Sequence, residues 1–155
     1  MSDERFERLV REHHRSVYAY ARSMTRSDNL AEEAAQDTFV KAWKHLDSFR
    51  GEGSLEGWLI RICRNCVYDI SKRQSSGVVA SLEPAVTAPD HQSELWSMID
   101  MLSTDDREIL VVCGVLGYDY ESAAALLDLP IGTVRSRLSR ARARLSDVMQ
   151  QAEAV

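Results

Sequence analysis

The chain has 155 residues and a formal net charge of −5, with 45% hydrophobic and 28% charged residues, a balance that predicts a soluble folded protein and excludes a fibre or a disordered tail. No stretch approaches the roughly 20 apolar residues that cross a bilayer, and the charged start Ser2-Asp3-Glu4-Arg5 predicts no secretory signal. Three cysteines, an odd count, fit reduced thiols in a cytoplasm.

Seven glycines and three prolines are few for a barrel or sandwich, and apolar residues recur at three- and four-residue spacing, so the chain reads as all-α. Asp3 is placed to cap a first helix whose apolar face is Phe6, Leu9, Val10, Val17, Ala21 and Met24. Asp28 is placed to cap a second, with Glu32 and Glu33 near its positive end. That helix is expected to bury Ala35, Phe39, Ala42, Trp43 and Leu46, and the segment 47–54, with two glycines, ends it. A third helix runs from about Leu55 to Arg73. Its core half is Leu59, Ile60, Ile62, Cys63, Cys66, Val67 and Ile70, and Arg61, Arg64, Asn65, Tyr68 and Lys72 share the other face. Cations interleaved with an amide and a ring suit single-stranded nucleic acid; a solvated face would have the same composition, and Trp58 at its edge fits core or contact.

Residues 74–92 carry Ser, Gly, Pro84 and Pro89 and no basic residue, which predicts an extended, flexible linker. Beyond it, Ser93 begins a helix through Leu102, and Ser103 or Thr104 another that ends at Gly117. Asp119 caps a short helix to Leu127, Asp128-Leu129-Pro130 turns, and a last helix runs from Ile131 to about Met149.

Charge is sharply segregated here. Residues 94–130 hold Arg107 as their one basic residue against eight acids, whereas residues 131–145 hold five arginines and no acid. On a helical wheel Val134, Leu138, Ala141 and Leu145 form the core stripe, Arg135, Ser136, Ser139 and Arg142 lie beside it, and Arg137, Arg140 and Arg144 fill the remaining arc. A short helix, a tight turn and a basic helix make a helix-turn-helix, whose second helix enters the major groove amino end first. Gly132, Thr133, Arg135, Ser136 and Ser139 then approach base edges, and the remaining arc suits phosphate.

Other signals carry no chemistry. Cys63 and Cys66 form a CxxC whose sulfurs both point into the apolar half, with no second pair to complete a metal site; they and Cys113 read as core thiols. His13 reads as a core histidine. No nucleophile elbow, phosphate loop or zinc-protease pattern is present, so neither catalytic nor metal residues, and no cofactor or small-molecule substrate, are expected.

LPIGTVRSRLSRARARL, residues 129–145, closely resembles region 4.2 of bacterial sigma factors of the extracytoplasmic-function group, and residues 31–73 resemble their region 2. The resemblance implies two small helical domains, a three- to four-helix region 2 bundle over residues 1–73 and a region 4 helix-turn-helix over residues 93–155, joined by the linker 74–92. It implies a promoter-specificity subunit that binds core RNA polymerase through Glu33, Gln36, Asp37, Phe39 and Trp43. The minus-ten element, as it melts, would meet Ser48, Phe49, Arg50, Arg61, Arg64, Asn65, Tyr68 and Lys72, with Asn65 near a flipped base. The minus-35 duplex would meet Gly132, Thr133, Arg135, Ser136, Ser139, Arg140 and Arg142, with Arg137 and Arg144 on phosphates. The linker would thread the RNA exit path. No sensory extension is expected beyond Met149, so control falls to an anti-sigma factor, with the stress-responsive, cytoplasmic setting usual for the group. Ala34 and Ala35 stand where the family carries bulky aliphatics, and Ser122-Ala123-Ala124 where it carries Glu-Ile-Ala, which implies softer packing. Two other readings remain: a sigma-like mimic that titrates an anti-sigma factor, and a conventional helix-turn-helix regulator. Overall acidity predicts weak promoter binding by the chain alone, since affinity follows the phosphates neutralised.

Overall fold

The computed structural model describes residues 3–51, 53–75 and 91–154, the last without the side chains of residues 91–93. Most of the expected linker lies outside these residues. Among them the chain forms seven α-helices and no strand, and it divides into two compact units, Met1–Ala85 and Val86–Val155.

The first unit is a three-helix bundle of α1 (Asp3–Thr25), α2 (Asp28–His45) and α3 (Leu55–Ser75), each packed on the other two. α3 runs two residues past the expected boundary at Arg73. The core forms where apolar stripes meet: Leu9, Val17, Tyr20 and Ala21 of α1, Leu30, Ala31, Ala34, Ala35, Phe39 and Ala42 of α2, and Leu59, Ile60, Cys63, Cys66, Val67 and Ile70 of α3. Ala34 and Ala35 are fully buried, so the small side chains are absorbed by the core. A large side chain sealed there contributes about 1.5–3 kcal/mol.

The α1–α2 corner differs from expectation. Ser27, not Asp28, caps α2, its Oγ accepting from the Leu30 N–H at 3.2 Å. Asp28 instead accepts from Arg22 Nε at 3.0 Å and from the Tyr18 hydroxyl at 3.2 Å, an interhelix role that helical phase alone does not reveal. Arg26 makes the corner at φ +57°. After α2, a 3₁₀ turn at Leu46–Ser48 leads into a loop with Gly51 and Gly53 both at φ +77°. That conformation is cheap only for glycine. Ser54 then caps α3, its Oγ accepting from the Gly57 N–H at 2.9 Å.

The second unit comprises α4 (His91–Asp100), α5 (Thr104–Ile109), α6 (Tyr120–Leu127) and α7 (Ile131–Glu153). α4 starts two residues before Ser93 and α7 extends four past Met149. Ser103 caps α5, accepting from the Asp106 N–H, and the helix continues through Leu110–Val115 with π-type winding before Gly117 ends it at φ +77°. Asp119 caps α6, accepting from the Ser122 N–H at 2.7 Å; that bond holds its carboxyl below the usual range. Asp128 ends α6 at φ +55°, a conformation that aspartate tolerates. Ala123 and Ala124 are buried against this compact turn, so their small size permits close approach.

Candidate nucleic-acid interface

The helix-turn-helix of the second unit positions α7 from its buried stripe outward. Val134, Leu138 and Ala141 are sealed, and Leu145 is half-buried. Gly132, Arg135, Ser136, Ser139, Arg140 and Arg142 are exposed and Thr133 half-exposed, so the residues expected at base edges share an open face. The Arg135 guanidinium lies 5.6 Å from the Tyr120 ring centroid, a contact that steadies it without consuming its N–H donors. Ser136 Oγ donates to the Thr133 carbonyl at 3.2 Å.

The remaining arc divides in two. Arg144 Nη1 donates at 2.6 Å to Asp106 Oδ2, a side chain only 5% exposed. Arg137 Nη1 lies 3.8 Å from Asp105 Oδ1. Adjacent aspartates on α5 thus hold two arginines two turns apart on α7. The expected phosphate role of Arg144 meets a competing one: it neutralises a carboxylate that has little water of its own. Helical phase placed Arg144 outward; what lies across from it depends on how α5 packs.

In the first unit, Asn65 faces a cleft of ≈ 290 Å³ lined also by Lys41, His45, Ser48, Trp58 and Ile62. Of the residues expected at the melted element, Ser48 and Asn65 line this cleft, and Phe49 packs on Trp58 with ring centroids 5.4 Å apart. Trp58 is therefore both half-buried packing and cleft wall. Arg50, Arg61, Arg64, Tyr68 and Lys72 are exposed outside it, with the Lys72 ammonium 4.6 Å from the Tyr68 ring centroid. Lys41, His45 and Ile62 are cleft residues that sequence reasoning missed. Ile62 was assigned to core, and nothing in helical phase marks Lys41 or His45, which reach the cleft from α2.

The α2 surface also reorders. Phe39 is buried as expected, but Trp43 is 39% exposed and Val40 52% exposed. Both line a groove of ≈ 480 Å³ with Phe6, Val10, His14, Gln36 and Phe39. Phe6 meets Trp43 edge-on at 4.9 Å. Trp43 and Phe6, expected as core, thus form an open apolar wall: Phe6 is half-buried and Trp43 exposed, each covering part of the other. Gln36 sits in the groove and Asp37 is exposed, while Glu33 accepts from Arg73 Nη2 at 2.8 Å, tying α2 to the end of α3.

Burial pushes the Cys63 thiol up to about 12 and also raises Cys66 and Cys113. Both CxxC sulfurs are therefore core thiols, and among the described residues no cluster of metal-ligating side chains occurs. His13 is half-buried, its Nδ1 3.9 Å from Glu56 with no hydrogen bond. No described helix is long and apolar enough to cross a membrane.

Residues 9–77 match the family model of sigma-70 region 2, and residues 92–145 that of sigma-70 region 4. The ECF RNA polymerase sigma factor EcfG of Rhodopseudomonas palustris is 33% identical over 143 residues, covering 86% of this chain and 79% of its own length. SigM of Mycobacterium tuberculosis, also an ECF RNA polymerase sigma factor, is 31% identical over 150 residues, covering 93% and 76%. Among solved structures, the sigma factor RpoE from Bartonella quintana, in complex with the anti-sigma factor NepR, aligns with a TM-score of 0.79 at 33% identity over 95% of this chain and 98% of its own. CnrH in complex with the cytosolic domain of CnrY aligns with a TM-score of 0.75 at 29% identity, over 97% and 90%.

Proposed function

This chain belongs to the ECF RNA polymerase sigma factors, and from that premise we propose that it binds core RNA polymerase, opens promoters at the minus-ten element and reads the minus-35 element as duplex. The observation that carries the reading is the open face of α7, where Arg135, Ser136, Ser139 and Arg142 stand exposed behind the turn that Asp128 makes at the end of α6. A helix in this setting presents donors to guanine and hydroxyls to either base pair in the major groove. Arg140 serves phosphate, joined by Arg137 where its loose pairing with Asp105 yields; Arg144 serves mainly to hold α7 on α5.

The Asn65 cleft receives one base of the melting strand, with Ser48 and Asn65 supplying polar contacts and Trp58 an aromatic wall. Arg61, Arg64, Tyr68 and Lys72 carry the strand's phosphates and bases along α3. Core polymerase docks on the α2 groove: Phe39, Val40 and Trp43 provide apolar contact, with Gln36, Asp37 and Glu33 polar at its margin. The two domains are the α1–α3 bundle and the α4–α7 unit, tethered by the segment between Ser75 and His91. The protein works in the cytoplasm, where its polymerase and DNA are, and catalyses nothing itself. RpoE and CnrH were solved with NepR and CnrY, and an anti-sigma factor that covers one or both units is the matching control here.

Run-off transcription with purified core polymerase tests the reading. Promoter-dependent starts are expected only when this chain is added, whereas a titrating mimic or a conventional regulator yields none. Labelled promoter duplex should bind the free chain weakly; tight binding without polymerase contradicts the role of the acidic surface.

A further inference from the structure

The arginines of α7 are held in two different ways. Arg137 and Arg144 reach carboxylates on α5, Asp105 at 3.8 Å and Asp106 at 2.6 Å. A guanidinium that donates to a carboxylate has fewer N–H groups left for DNA. Arg135 instead lies over a neutral ring, its guanidinium carbon 5.6 Å from the Tyr120 centroid. An aromatic face attracts a cation without accepting the N–H bonds at its edge, so the whole donor fork stays available.

Tyr120 is not placed by burial. Its ring is 38% exposed, whereas α6 seals Ala123, Ala124, Leu126 and Leu127 into the core. Its backbone is nevertheless fixed, because it is the first residue of α6, directly after the cap that Asp119 makes to the Ser122 N–H at 2.7 Å. The path from α6 to α7 is set by Asp128 at φ +55° and by the Leu129 N–H, which donates to the Ala124 carbonyl at 3.0 Å. An exposed ring at a fixed point on one helix therefore meets an exposed guanidinium on the next.

We propose that Tyr120 determines specificity on the duplex-reading surface, as a positioning residue that acts through Arg135. The ring holds the guanidinium at one lateral setting on α7, so that its fork meets the edge of one base pair. Unheld, the same side chain has several rotamers, and any phosphate in reach satisfies its charge without conveying sequence. The inference rests on the minus-35 reading of α7 above and adds to it a residue of the preceding helix.

The test uses holoenzyme reconstituted from core polymerase and the full chain, with labelled promoter fragments in which each minus-35 base pair is permuted. Arg135→Gln should lose discrimination at a single base pair; if it does not, the minus-35 role of Arg135 falls and this inference with it. Tyr120→Leu and Tyr120→Gln, both without an aromatic face, should lower discrimination at that same base pair about two- to fivefold, the range that an exposed cation–π contact supports. Binding to the fragment with the wrong base there should stay as before, and so should Tm. Tyr120→Phe, which keeps the ring, should match the unaltered protein. In the Arg135→Gln background, Tyr120→Leu should add nothing. An unchanged base preference in both ringless variants overturns the proposal. So does a uniform loss at every position, which would make Tyr120 a prop for the fold. A loss in Tyr120→Phe with a lower salt slope also overturns it, since the hydroxyl would then be a phosphate contact.

Discussion

The two units have opposite relief at the surfaces we propose for nucleic acid. In the first, Asn65 of α3 and Ser48 of the turn before it open onto a hollow of ≈ 290 Å³. In the second, the residues proposed to read duplex stand on the exposed side of α7; a groove of ≈ 610 Å³ lies elsewhere in that unit, between α4 and the carboxyl end of α7, lined by Met98, Met101 and Val148. A base taken out of its stack needs a concavity, whereas a paired duplex is read by a rod that fits its major groove. The difference teaches that a similar composition of arginines and small polar residues takes its task from the relief beneath it.

The hardest blow to the comparison is Leu138→Ala. Leu138 is 1% exposed, and its truncation should cost the second unit about 2–5 kcal/mol. Minus-35 binding should fail while hydrogen exchange in α1–α3 stays unchanged; loosening of both units together would show that they do not fold separately. Alkali should strike the other way. Burial lifts Cys63 to about 12, and burial with Asp28 lifts Tyr18 to about 12. The unfolded chain releases these protons first, so the first unit should be at full stability below about pH 9 and, through the buried Cys63, lose up to about 1.4 kcal/mol per pH unit between there and pH 12, with a smaller, solvent-screened loss from the partly exposed Tyr18 above about pH 10. Urea midpoints followed by probes in each unit check this, and Cys63→Ala should flatten the slope.

A smaller effect sharpens the division of α7. Arg144→Gln strands the buried Asp106 carboxylate and should cost the second unit about 1–3 kcal/mol, seen as a lower Tm with the salt slope of promoter binding unchanged. Arg140→Gln should leave Tm alone and reduce that slope by about 0.9. Identical behaviour of the two would refute the separate roles. Asn65→Ala should cost holoenzyme about 1–3 kcal/mol of discrimination at a single minus-ten base, measured by permuting that position; a uniform loss across positions would mean the cleft does not read a base.

Much of this molecule was legible without coordinates. Spacing of apolar residues located the core of each helix, and Asp119, Gly117 and the Asp128–Pro130 turn framed the helix-turn-helix as found, because caps and turns answer to local backbone geometry. The exposed face of Arg135, Ser139 and Arg142 followed from phase alone. The α2 groove did not: Phe6, Val10 and Trp43 sit at apolar positions, and the wheel cannot distinguish a ring sealed by a neighbouring helix from one left open beside it. Neither did Arg144, whose partner Asp106 is 38 residues away in the chain. Order along the chain thus decided which residues turn inward or outward on each helix, since that depends on a period of 3.6. Only the packing of helix on helix decided which outward cations are already held, which apolar residues stay uncovered and where hollows open, since those depend on groups brought together from distant parts of the chain.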